Sequence, residues 1–241
     1  VKNKTMTGKP KKPNPNNRSG IGTINEFSLH AEIIQKLARE GDVLEAELEG
    51  YFIDILRGDQ IIEVQTRNLG KLVKKAHALA ASYKVKIVYP IAELKYIVRH
   101  STEGELVSRR KSPKKGRVVD VFNELVNATS LISPKNVSLN ILLIETDEIW
   151  KDDGQGSWRR KGWSISERRL VDILSKRQFS QPEDLLELLP DALPSPFTNA
   201  QLAQILNVRG RLAGKITYTL RKMSLLTVVG RQGRAYLFDT I

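Results

Sequence analysis

The stretch VLEAELEGYFIDILRGDQIIEVQT, residues 43–66, decides the fold. It holds three short runs rich in Val, Ile, Leu and aromatic residues, at 43–49, 51–57 and 60–66. Gly50 separates the first two and Gly58-Asp59 the last two, both in the pattern of hairpin turns. The spacing therefore predicts a three-stranded antiparallel meander.

Moving outward, Asn25 is placed to cap a helix on the N-terminal side. Phe27, Ile33, Ile34 and Leu37 recur there at helical spacing, and Gly41 ends the run. On the other side, residues 69–82 predict a helix burying Leu69, Leu72, Val73, Ala76, Leu79 and Ala80. VKIVYP, 85–90, then reads as a short buried strand ended by Pro90. Further along, 95–99 suggests another strand and 109–117 a basic loop. Residues 118–127 read as a helix, 138–146 as a strand, and 151–163 as a polar loop. From Ser166 the pattern predicts a return to helix.

The α-βββ-α-β order of residues 25–90 resembles the core of the PD-(D/E)XK nuclease superfamily. That family holds a divalent metal with an Asp on the second strand and a Glu-x-Lys on the third. Asp54 and Glu63-Val64-Gln65 match those positions, with Gln65 in place of the lysine. The resemblance implies Mg²⁺ or Mn²⁺ held by Asp54, Glu63 and the carbonyl of Val64. It also implies a water-orienting role for Gln65 and a helix-borne acid, for which Glu26 is the candidate. Lys75 or Arg67 would then supply the missing positive charge, and His30 is expected to pack beside Glu26.

Strand geometry gives an independent check. A two-residue loop at Gly58-Asp59 pairs Arg57 with Gln60 and, counting back, Asp54 with Glu63. Opposed residues share a face with Cβ atoms about 4.5–5.5 Å apart, so the two carboxylates repel unless a cation or proton lies between them. If Glu49-Gly50 is the first loop, Glu45 also lies opposite Asp54. Glu32 is expected to point to solvent.

The C-terminal segment FTNAQLAQILNVRGRLAGKITYTLRKMSLLTVVGRQGRAYLF, 197–238, resembles a winged helix-turn-helix. Thr198 would cap the first helix and Asn207-Val208 make the turn. The second helix would bury Leu212, Ala213, Ile216 and Leu220, and a hairpin around Gln232-Gly233 would form the wing. Between 194 and 241 seven basic residues face one acid, Asp239. In this motif family the recognition helix and wing meet the major groove and backbone. The resemblance therefore implies DNA contacts by Arg209, Arg211, Lys215, Tyr218, Arg221, Arg231 and Arg234.

Composition agrees with a polyanionic partner. The 241 residues carry a formal charge of +12, with 40% hydrophobic and 27% charged residues and no cysteine. Disulfides and thiolate chemistry are excluded, and no apolar run approaches the roughly 18–20 residues of a membrane span. The expected class is mixed, α+β/α/β: a restriction-endonuclease-like core with a C-terminal winged-helix domain. The expected division is a basic arm at 1–24, a nuclease-like domain at 25–150, a linker or connecting helix at 151–177 and the winged helix at 178–241. The expected function is metal-dependent DNA cleavage in the cytoplasm, with no membrane partner and a homodimer left open. The alternatives are a DNA-binding regulator that has lost catalysis, or an RNA substrate.

Overall fold

The structure, a computed structural model, describes residues 24–241, with side chains from residue 28 onward. The arm expected at 1–24 therefore falls, up to residue 23, outside the described residues, as does the side chain of Glu26. Helix α1 (Ile24–Leu37) leads into the meander of β1 (Val43–Leu48), β2 (Tyr51–Arg57) and β3 (Gln60–Val64). Asn25 lies inside α1 rather than before it. Leu48 pairs with Tyr51, so Glu49-Gly50 is a two-residue loop, and both residues take positive φ, 51° and 76°. That is the hairpin geometry whose twist matches the strands it joins. Arg57 pairs with Gln60 across Gly58-Asp59, as the sequence predicts.

A 3-10 turn at Leu69–Leu72 and helix α2 (Val73–Leu79) then cross over to β4 (Lys84–His100), which runs parallel to β3. The strand does not stop at Pro90. β3 pairs only up to Val64↔Val88, and β5 (Leu106–Lys111) pairs from Tyr96 onward. Opposite Pro90 there is a neighbour on one side only, so the missing N–H breaks no ladder. The 95–99 segment is the far half of this same strand. Of the expected basic loop, the first three residues belong to β5.

A second crossover through a 3-10 turn at Val118–Val121 and α3 (Phe122–Leu125) reaches β6 (Val137–Asp152), again parallel to β4. The antiparallel β7 (Trp163–Phe179) closes the sheet, whose order is β1-β2-β3-β4-β6-β7 with β5 beside β4. Of the linker or connecting helix expected at 151–177, the part from Trp163 onward is thus corrected to an edge strand, while the residues before it end β6 and form a loop. Glu, Arg, Leu and Lys give ERRLVDILSKR a helical tendency, but ladder pairing with β6 overrides it. Its charged side chains also suit an edge that must not pair further.

The result is a mixed α/β fold with one large mixed sheet covered on both faces. Leu29, Ile33 and Ile34 of α1 pack on Ile55, Ile62, Val88 and Ile144. On the other face α2 and α3 pack on Ile53, Ile61, Ile87 and Leu139. That second core continues without a break into the C-terminal elements through Phe197, Leu212, Ile216 and Leu220. These elements are α4 (Asn199–Ile205), α5 (Gly210–Lys222) and the hairpin of β8 (Leu226–Gln232) and β9 (Ala235–Thr240). Thr198 caps α4 by accepting the Gln201 N–H. Phe197 bridges to Phe238, tying the start of this segment to the hairpin. The hairpin loop is Gly233-Arg234, one residue later than expected, since Gln232 pairs with Ala235.

Candidate functional site

The ladder between β2 and β3 ends at Ile55↔Ile62. The next pair in register is Asp54 and Glu63, and there side chains replace backbone partners. The Val64 N–H donates to Asp54 Oδ2 at 2.7 Å, while the Asp54 N–H faces the Glu63 carboxylate. The strands fork at this point, with one carboxylate on each prong. Ile53 packs on the α2 face while Ile55 packs on the α1 face, so the alternation of β2 breaks at Asp54.

Both faces of the sheet send a basic group to the fork. From α2, Lys75 Nζ lies 2.6 Å from Glu63 Oε1 and also donates to the Phe52 carbonyl. From α1, His30 Nε2 lies 3.3 Å from Asp54 Oδ2. Burial raises the Glu63 pKa, the Asp54 charge adds to this, and Lys75 opposes it. The hydrogen bond to Asp54 raises His30 above the usual imidazole value, against its own burial. His30, expected beside Glu26, is therefore part of the fork.

The His30 shift has a testable sign. The folded state holds the His30 proton more tightly than the unfolded chain. Its contribution is complete below about pH 6.5 and is lost as pH rises through the raised value. In chelator, the thermal midpoint of wild type should exceed that of His30→Gln at pH 6, and the gap should close by pH 9. A gap that does not change with pH would show that His30 stays neutral.

Gln65 is turned along its own chain: its amide N–H donates to Val88 O at 2.8 Å and its side chain donates to the Arg67 carbonyl. It ends β3 rather than facing Glu63. Glu45 is opposite Asp54 in register but is exposed, with φ of 51°. Glu32 does not point to solvent, since it accepts the Leu170 N–H and ties α1 to β7. Among the described residues no three His, Asp or Glu side chains gather into a metal-binding group. The fork offers two carboxylates and the Val64 carbonyl, which His30 approaches.

The expected DNA-contacting residues divide into two sets. Arg209, Arg211 and Lys215 line a cleft of about 1360 Å³ between the start of α5 and the sheet. The sheet supplies Lys95 and Arg168, and the 112–117 loop supplies Lys114, Lys115 and Arg117. Tyr218, Arg221, Arg231 and Arg234 are instead exposed outside it, with Arg231 stacked 4.7 Å from the Tyr236 ring centroid. Thr217, between Ile216 and Tyr218 on the same helix, is buried and donates to Asn199 Oδ1 at 2.8 Å. Of the cations facing α5, Lys114, Lys115 and Arg117 were legible only as part of a basic loop at 109–117, because the partner surface of Arg117 lies about ninety residues away in sequence.

The family model described as "Domain of unknown function (DUF8091)" matches residues 27–180. An uncharacterized protein of Treponema pallidum (strain Nichols) is 31% identical over 220 residues, covering 90% of this chain and 86% of the relative. No solved structure matches. Among the described residues no helix is long and apolar enough to cross a membrane. The family match runs from within α1 to the residue after β7, so it takes in the whole sheet, the fork and Lys75. The chain belongs to the DUF8091 domain family.

Proposed function

We propose that this chain is a metal-dependent DNA endonuclease, with a restriction-endonuclease-like core and a C-terminal winged helix. The observation that carries the reading is the fork. Two carboxylates, one of them buried, face each other across strands that have stopped pairing, and a lysine lies against the buried one.

Asp54, Glu63 and the Val64 carbonyl would hold Mg²⁺ or Mn²⁺. The donor set fits a hard cation, being oxygen only and carrying two carboxylates, with burial first and the Asp54 charge second raising the Glu63 pKa. A bound divalent ion supplies Lewis acidity and a more acidic water. Lys75 provides the cation that Gln65 lacks, positioned to offset negative charge building on a phosphate beside Glu63. His30 holds Asp54 in place from the opposite face and can carry a proton there. Gln65 keeps a role in setting the end of β3 rather than in touching a water.

The order of capped α4, tight turn at Asn207, α5 and hairpin supports the winged-helix reading. Tyr218, Arg221, Arg231 and Arg234 present an open basic surface to duplex DNA. Supercoiled plasmid incubated with the full chain should be nicked in Mg²⁺ or Mn²⁺ and left intact in EDTA. Binding that is equal in EDTA, with no cutting in either metal, would favour the regulator reading instead.

A further inference from the structure

We infer that the cleft between α5 and the sheet takes a single strand of nucleic acid and leads it toward the fork. This rests on the reading of the fork as a phosphodiester site only for the strand's destination. The cleft's own properties argue for its occupant.

Charge comes first. Eight cationic side chains line the cleft against one lining carboxylate, Asp120. Adding Glu93 and Glu148, which pair with Lys115, Lys95 and Arg168, brings the acids to three and still leaves an excess of five cations. Glu148 is buried and also accepts from Trp150 Nε1 at 3.0 Å, so it fixes Lys95 and Arg168 in the wall. Between these cations, Tyr89, Pro90, Ile91 and Val208 form an apolar floor. A basic groove with apolar and aromatic ground suits phosphates on one side and unstacked bases on the other.

Width decides between one strand and two. The Arg117 guanidinium donates to Leu206 O at 2.7 Å, and Lys215 Nζ donates to Asn123 Oδ1 at 2.9 Å. The walls are thus joined by single side chains at two points. A B-form major groove, about 12 Å wide, receives a helix only where that helix stands clear of its own protein. The Arg211–Lys215 face of α5 does not.

Continuity gives the direction. Arg211, Lys215, Tyr218 and Lys222 share one stripe of α5, which runs from the cleft to the exposed end of the helix. At the other end a cleft of about 160 Å³ shares Pro90, Ala92, Lys95 and Arg168 and continues to Leu29 and Thr66. Leu29 adjoins His30 in sequence, and Thr66 follows Val64 by two positions.

The test is fluorescence anisotropy of the full chain with labelled dT20 and with a 20-base-pair duplex, in EDTA across a salt series. The triple variant Lys114→Ala, Arg209→Ala, Arg211→Ala should weaken dT20 binding about tenfold. The slope of log affinity against log salt should fall by about 0.7 for each phosphate no longer neutralised. Duplex affinity should change less than twofold, and the exposed Lys135→Ala control should change neither. The proposal is overturned if dT20 binding survives the triple variant, if the duplex suffers equally, or if poly-glutamate competes as well as dT20. Because no metal is present, the assay reads the cleft whether or not the fork cuts DNA.

Discussion

Phe122→Ala should cost about 3–5 kcal/mol and lower stability across the whole chain, sheet and C-terminal elements together. Phe122 is fully buried at the start of α3, between the sheet and α5. The core it occupies runs from Ile53 and Ile87 in the sheet to Leu212 and Ile216 in α5. Truncating it leaves a cavity that rigid neighbours on both sides cannot close. Urea unfolding followed by tryptophan fluorescence and by far-ultraviolet dichroism should give one coincident transition, shifted as a unit. The three tryptophans all lie before residue 178, so fluorescence follows the sheet while dichroism follows all the helices. A second dichroism transition that the variant leaves unmoved would mean that residues 178–241 fold as an independent domain.

The meander was legible because its signals are local. Two turn sequences of fixed length set the register, and the register placed Asp54 opposite Glu63 without any knowledge of the rest of the sheet. The capped α4, the turn at Asn207 and the buried face of α5 were legible for the same reason. β7 was not. WSISERRLVDILSKRQF is an edge strand with few buried side chains, so period-two burial hardly marks it and its residues favour helix. What makes it a strand is the ladder to β6, which is set by contacts far apart in sequence. Pro90 misled in a similar way: whether a proline ends a strand depends on which neighbours are present beside it, and only the sheet order shows that.

At the site, the carboxylates were legible and their partners only in part. Lys75 was a candidate for the missing cation, but its choice over Arg67 depends on how α2 lies over β3. His30 stands in line with Ile33 and Leu37, which marked it as inward-facing, yet nothing in its spacing pointed to Asp54. The cleft was invisible as a unit, since its walls come from β4, the 112–117 loop, β7 and α5. The surface proposed for duplex binding is consequently smaller than the sequence suggests, because Arg209, Arg211 and Lys215 at the start of α5 line the cleft.

The most direct test of the nuclease reading is the single-turnover rate of plasmid nicking in Mg²⁺ by wild type and by Asp54→Asn. Asparagine keeps the shape of the side chain and an oxygen to accept the Val64 N–H, so the fork should stay assembled. It removes a full charge from the pair that would hold the cation, and the rate should fall about a thousandfold or more. Far-ultraviolet dichroism and dT20 affinity in EDTA should remain at wild-type values, while the thermal midpoint at pH 6 shifts because the charge that holds the His30 proton is gone. The expected result is cutting by wild type and none above background by Asp54→Asn. Nicking by Asp54→Asn within about threefold of wild type would contradict the nuclease reading, because the residue at the centre of the fork would then have no part in the reaction.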